Sequence, residues 1–354
     1  MGSHVIPHSR PAIGHEEIAA LTDVVRSGQV AQGSQVEAFE RGMATLLEVQ
    51  GGVALSSGTV GLEVALLALG VGPGDEVILP SYVCAAPWLA VVRVGARPRI
   101  VDIEPDTYAI DPAGVEKALS SRTRAVIVPH LFGLPADLSK LQEFGVPLIE
   151  DCAQTLGATE QGRLVGSVGH VAVCSFYATK LLCTGEGGML LSNDAEILEK
   201  GRALRDYDEQ PTLGAAAFNR KMTDLQAAMG LQQLAKFQSL LDRRARIAVR
   251  YQTAFATTNL RLPSIPEGRT HVFYRYVVRV PPSGHPLDEV LARLERRGVQ
   301  CRRPVFRPLH RYLDLEGCVE SDQANASAMS VPLYPSMTDE EVSRTIHTVC
   351  EELA

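Results

Sequence analysis

The chain has 354 residues, 45% of them apolar and 21% charged, the profile of a soluble globular protein long enough for two domains and a large core. Its net charge of −7 comes without any basic tract, which argues against nucleic acid or an anionic membrane as a partner. No apolar run approaches the roughly 18 residues that a bilayer-spanning helix needs, and no leader-like apolar stretch opens the chain. The seven cysteines form no CxxC pair and no paired framework, which fits a reducing, cytoplasmic setting.

From about residue 50, apolar strands alternate with amphipathic helices. The strand segments are "GGVALSS", "DEVILP", "RIVDIE", "RAVIVPH", "VPLIED", "HVAVCSFY" and "GMLLS", with helical stretches such as "TVGLEVALLALG" and "PAGVEKALSS" between them. Continuous apolar strands separated by helices predict an α/β fold with a mainly parallel sheet covered on both faces. The last two strands flank a short glycine turn, a spacing compatible with antiparallel pairing. After about residue 220 the rhythm changes. "MTDLQAAMGLQQLAKFQSLLDRRARIAVRYQTAFA" reads as one long helix, followed by a strand-like "VFYRYVVRV" and the helices "LDEVLARLERRG" and "TDEEVSRTIHTVCEEL". The division expected is a large domain over residues 1–235, including an N-terminal arm, and a smaller α+β domain over residues 236–354, joined through the long helix.

Three short stretches carry chemistry. In "ALSSGTVGLEVALLALG" a strand runs into Ser57, Gly58 and Thr59 and a helix follows at once. Open backbone N–H groups at a helix start, with glycine allowing close approach, make an anion site; the plain alternative is an N-cap that only starts a helix. In "PLIEDCAQTLGA", Glu150 and Asp151 end a predicted buried strand, where open α/β sheets place their ligands. A carboxylate there calls for a cation, and Gln154 follows three residues later. In "SFYATKLLCTGEGGML", Lys180 sits between an apolar run and a glycine turn. It is either a lysine snorkelling to solvent or a desolvated amine able to form a Schiff base.

Each signal is weak alone, but their order is informative. A phosphate cradle, an acid at a strand end and a lysine about thirty residues on are the protein parts expected for pyridoxal 5′-phosphate. Asp151 would then favour a charged ring nitrogen, which makes the cofactor an electron sink.

These stretches, with "GARPRIVDIEPDTYAIDP", "VPHLFGLPADL" and "FNRKMTDLQAAMGLQQL", resemble the DegT/DnrJ/EryC1/StrS family of sugar aminotransferases, and the resemblance runs from "IPHSRPAIGHEEI" to "LYPSMTDEEV". It implies the aspartate-aminotransferase-like fold (fold type I), with a Lys180 Schiff base as cofactor linkage and Lys180 as proton shuttle. Asp151 would pair with the pyridine nitrogen, Gln154 with the ring hydroxyl, and Ser175, Gly58 and Thr59 with the phosphate. The family's "GxNxRM" stretch reaches the phosphate from a neighbouring subunit; it corresponds to "AFNRKM", which assigns Asn219 and Lys221 a cross-subunit role in a homodimer with shared sites. Here Ala217 replaces the glycine and Lys221 the arginine, which keeps the charge but loses bidentate geometry. Cys84 falls where relatives often carry an aromatic over the ring, with Trp88 one turn on.

The reaction implied is a ping-pong transamination from glutamate, or glutamine, to a keto sugar that is nucleotide-linked. A cyclitol ketone acceptor and a non-catalytic regulator of the same fold are the alternatives. Relatives with histidine in place of the lysine are dehydratases, so Lys180 favours transamination. His130 and His310 lie in stretches resembling loops near the site and are left outside the catalytic set.

Overall fold

The computed structural model describes residues 5–206, 217–282 and 285–353. The apolar runs form β1 (Gly51–Leu55), β2 (Glu76–Pro80), β3 (Arg97–Val101), β4 (Thr123–Pro129) and β5 (Leu148–Asp151), then a small hairpin of β6 (Thr159–Glu160) and β7 (Arg163–Leu164). β8 (Val171–Ser175), β9 (Gly188–Ser192), β10 (Tyr276–Arg279) and β11 (Ala328–Val331) follow. Seven of these make one sheet in the order β1-β9-β8-β5-β4-β2-β3. β9 alone runs against its neighbours, Ser175 facing Gly188 across the β8–β9 pair, while β2, β3, β4, β5 and β8 are parallel.

The helices are α1 (His15–Ser27), α2 (Ser34–Leu47), α3 (Gly58–Ala68), α4 (Ala86–Arg93), α5 (Pro112–Ala118), α6 (Leu138–Gln142) and α7 (Ala195–Arg205). After them come α8 (Asp224–Ala235), α9 (Phe237–Phe255), α10 (Leu287–Arg296), α11 (Leu309–Tyr312), α12 (Val319–Ser327) and α13 (Asp339–Glu352). Apolar side chains on both sheet faces pack against them: Val53, Leu55, Ile127 and Ile149 belong to one cluster, and Phe39, Cys174, Met189 and Leu191 to another. A further core lies beyond the sheet, where Ile247, Tyr251 and Phe255 of α9 meet Tyr276, Met329 and Val342 around the β10–β11 pair.

One expectation is corrected. The stretch read as a single helix is two, broken at Lys236 (φ −105°, ψ 9°). Helix α8 packs on α1 and α2, whereas α9 buries Ile247, Tyr251 and Phe255 in the separate core. One straight rod could not present both faces. Lys236 is held at the break by the buried Glu17, 2.5 Å away. No helix among the described residues is long and apolar enough to cross a membrane, and all seven cysteines are unpaired.

Candidate active site

The parallel strands end on one edge of the sheet, and the predicted residues gather there. Ser57 is the N-cap of α3: its Oγ accepts from the Val60 N–H at 3.2 Å and its carbonyl from the Gly61 N–H at 2.9 Å. The N–H groups of Gly58 and Thr59 take no partner among the described residues, so the helix start stays open to an anion. The N-cap reading is realised, and it leaves two backbone donors open beside it. Ser175 ends β8 directly beneath. A Cβ at Gly58 would come within 2.7 Å of the Ser175 Cβ, and one at Gly188 within 2.3 Å of the Ser57 carbonyl carbon and oxygen. Two glycines thus let β1, β8 and β9 close into a tight cradle. In the sequence Gly188 marks only where the glycine turn meets the strand "GMLLS", with nothing to show the close approach.

Asp151 ends β5, half-buried, and accepts a hydrogen bond from the Ala153 N–H at 3.1 Å. Burial raises its carboxyl above the ordinary range, an effect opposed chiefly by the charge of Lys180. No ion pair ties Asp151 to another described residue, so a bound cation has an unclaimed counter-charge to meet. Gln154 spends its Oε1 on the Phe132 N–H at 3.0 Å, which leaves its amide N–H groups for an acceptor.

Lys180 lies past the end of the apolar run and before the glycine turn. β8 stops at Ser175, and Lys180 lies in the loop leading to β9, where its N–H donates to the Tyr177 carbonyl at 2.8 Å. The Thr184 N–H returns to the Phe176 carbonyl at 2.8 Å, and buried Leu181 and Leu182 anchor the loop in the core. Five extra residues lift the amine over the sheet edge instead of leaving it in line with the strand. Its Nζ lies 5.3 Å from the ring centroid of Tyr274, a residue that the sequence reading treated only as part of a strand.

The segment from 219 to 221 runs beside β1: the Ser56 N–H donates to the Arg220 carbonyl at 2.9 Å. Arg220 turns inward and pairs with buried Glu63 at 2.7 Å, while Asn219 is exposed on the other side, as alternation along an extended chain requires. The Lys221 Nζ is 3.6 Å from Asp206. Cys84 is exposed at the mouth of the site, yet the surrounding protein raises its thiol, with Lys180 lowering and Asp151 raising it. It therefore lies within electrostatic reach of both. Trp88 packs against the core instead.

Two buried histidines are structural. The Ala136 N–H donates to His130 Nδ1 at 3.0 Å, so Nε2 carries the proton toward Glu150 at 3.1 Å. Glu150 also accepts from the N–H groups of Gly166, Val168 and Gly169. His130, Glu150 and Cys152 lie within 4.8 Å of one another, but these bonds already occupy the imidazole and both carboxylate oxygens. His310 is clamped between Ser81 Oγ (2.6 Å) and Asp322 Oδ1 (3.0 Å), joining the end of β2 to α11 and α12.

An open helix start, an unclaimed carboxylate and a loop-borne amine, all at the carboxyl edge of a parallel sheet, are the fittings of a pyridoxal-phosphate enzyme of the aminotransferase fold. The chain belongs to the DegT/DnrJ/EryC1/StrS aminotransferase family, which it matches over residues 11–350. It is 35% identical to the spore coat polysaccharide biosynthesis protein SpsC of Bacillus subtilis (strain 168), over 98% of this chain and 97% of SpsC. The PLP form of the putative sugar aminotransferase Spr1654 from Streptococcus pneumoniae superposes with a TM-score of 0.92 at 28% identity, covering 99% of this chain and 98% of that one. DesI, solved in the presence of its TDP-sugar product, gives 0.92 at 28% identity over 99% and 93%. The protein is a PLP-dependent transaminase.

Proposed function

We propose that the protein transfers an amino group from glutamate, or glutamine, to a keto sugar, nucleotide-linked, in two half-reactions at one site. The observation that carries this reading is the placement of Lys180 and Asp151 around the end of β5 and β8, with the cradle of Ser57, Gly58, Thr59 and Ser175 beside them. Bound there, pyridoxal phosphate supplies an electron sink through which an amine and a ketone exchange their nitrogen. Lys180 would hold the cofactor through its amine and would serve as the general base and acid that carries the proton. Asp151 keeps the ring nitrogen charged, Gln154 donates to the ring oxygen, and the open N–H groups of α3 meet the phosphate. The sugar is supported by Spr1654, a putative sugar aminotransferase, and the nucleotide by DesI, solved with its TDP-sugar product.

The same proposal includes a cytoplasmic homodimer in which Asn219 and Lys221 serve the partner's phosphate, and a division into domains at residues 235 and 236. Phe218 is 68% exposed, and Leu89 and Val92 of α4 are exposed apolar residues, an apolar dressing suited to a covered surface. The helix break at Lys236 and the separate core around α9 support the division.

Borohydride reduction of the yellow protein followed by peptide mapping is expected to find the cofactor on Lys180. Glutamate should then bleach the unreduced protein and release 2-oxoglutarate, and a panel of nucleotide-linked keto sugars should restore the colour. A cofactor fixed elsewhere, or colour untouched by both glutamate and glutamine, would overturn the reading. Sedimentation should give a dimer that F218D weakens.

A further inference from the structure

We propose that Tyr274 is a positioning residue for Lys180: its phenol oxygen is the negative partner that holds the amine in the site and sets the pH dependence of its chemistry. This rests on the reading of Lys180 as the cofactor lysine. Tyr274 is only 5% exposed, and three cations surround its ring, Lys180 Nζ at 5.3 Å, Arg275 Cζ at 5.5 Å and Arg244 Cζ at 6.0 Å from the centroid. Buried Arg244 donates to the carbonyls of Phe273, Tyr274 and Leu333. Among the described residues, none of the three cations has a carboxylate within ion-pair distance. Three positive charges in a poorly solvated place favour an anion, and the phenol is the acidic group on the ring they surround.

The fold holds that phenol firmly. The Val272 N–H donates to the Gly133 carbonyl at 2.9 Å, and the Arg275 N–H to the Phe132 carbonyl at 3.0 Å. Gly133 (φ +110°) makes this approach possible, since a Cβ there would lie 2.8 Å from the Phe273 and Tyr274 nitrogens. The Phe132 N–H in turn bonds Gln154, so one loop ties Tyr274 to the cofactor-facing residues. Burial alone would push the Tyr274 phenol up. Lys180 and Arg275, with side-chain hydrogen bonds to Thr179 and Arg275, bring it down to about 8.

The other charged or titratable groups facing this place are accounted for. His8 and Arg10 of the N-terminal arm line the same cavity; His8 is lowered to about 3 by burial and by Arg275 and Arg302, and Arg10 is paired with Glu341 at 2.8 Å. Cys183 and Tyr334 line it too, and burial pushes them up to about 11 and about 12. His271, upstream on the same segment, is lowered to about 3 by burial. Asp151 and Cys84 lie within electrostatic reach of Lys180, whose charge lowers both.

The test compares wild type with Y274F, which keeps the ring, and T179V, which removes only the hydroxyl beside the phenol. In the apoprotein, ultraviolet difference titration should show one tyrosine ionising near the value of about 8 given above, lost in Y274F. In the holoenzyme, the pH midpoint of the cofactor's visible band should fall by roughly one unit in Y274F, because removing a neighbouring negative charge favours loss of a proton, and by less in T179V. A merely structural tyrosine would lower the melting temperature and leave the midpoint in place, which overturns the proposal, as does the absence of an early-ionising tyrosine. Borohydride fixation is run on every variant. If Lys180 is labelled while the midpoint stays put, only the role of Tyr274 fails; if Lys180 is not labelled in wild type, the underlying reading fails as well.

Discussion

The Asp151 carboxylate accepts one hydrogen bond, from the Ala153 N–H at 3.1 Å, and an asparagine oxygen accepts the same bond. D151N is therefore expected to fold and still bind cofactor, while the neutral amide no longer favours a charged ring nitrogen. Transamination should fall about a hundredfold or more, the usual scale for removing one preorganised electrostatic partner, with kcat lost more than KM. Gly188 poses the steric counterpart. A Cβ there would meet the Ser57 carbonyl carbon and oxygen at 2.3 Å, and backbone cannot swing aside as a side chain can. G188A is expected to cost roughly 1–3 kcal/mol in a denaturant titration and to weaken cofactor affinity, since it pries β9 from the start of α3. The contrast shows what was legible at this scale. Lys180, Asp151 and Ser57 stand out locally: a lysine after an apolar run, an acid that closes a buried strand, and a serine where a strand gives way to a helix. Gly188 and Tyr274 act through neighbours more than ninety residues away in sequence (Ser57 and Lys180), and nothing local marks them.

Among the elements, the strands and α3 were readable because each carries its own signal: an apolar run for β4 and β5, a serine cap for α3. Helix α2 passed unread because its start is completed from elsewhere. Gly33, the N-cap of α2, has no side chain to cap with; the N–H groups of Gly33 and Val36 donate instead to Asp224 Oδ1, at 2.8 and 3.0 Å. Asp224 belongs to the first turn of α8, 191 residues along the chain from Gly33. The break at Lys236 escaped notice for the same reason, as its partner Glu17 is in α1. D224A removes a cap and leaves two donors unmet, one of them beside buried Val36. The expected loss is about 2 kcal/mol, read by chemical denaturation, with activity retained below the transition because Asp224 is not one of the residues assigned to the site.

At the scale of the whole molecule, the N-terminal arm ties the two cores together. Ile6 bridges to Val299 in the outer core, His8 meets Ser330 Oγ of β11 at 2.9 Å, and the Ala12 carbonyl accepts from Gln233 of α8 at 2.9 Å. The arm thus crosses the cavity that holds Lys180 and Tyr274. Beside the Arg10–Glu341 ion pair, the arm has an acid-sensitive anchor in His8. Burial, then Arg275 and Arg302, lower His8 from 6.5 to about 3. With the folded value depressed, the unfolded chain binds the extra proton first as pH falls, so the contribution is whole above pH 6.5 and is lost down to about 3. At pH 5 that amounts to at most about 2 kcal/mol, and His271, lowered to about 3 by burial, adds a similar amount over the same window. H8Q keeps a hydrogen-bonding partner for Ser330 without the titration. Stability measured by denaturant at stepped pH should fall less steeply in H8Q than in wild type between pH 6.5 and pH 4, while the two slopes agree above pH 7. Parallel slopes through the acid window would mean that the arm is already released before His8 takes up its proton, and that the two cores are held together without it.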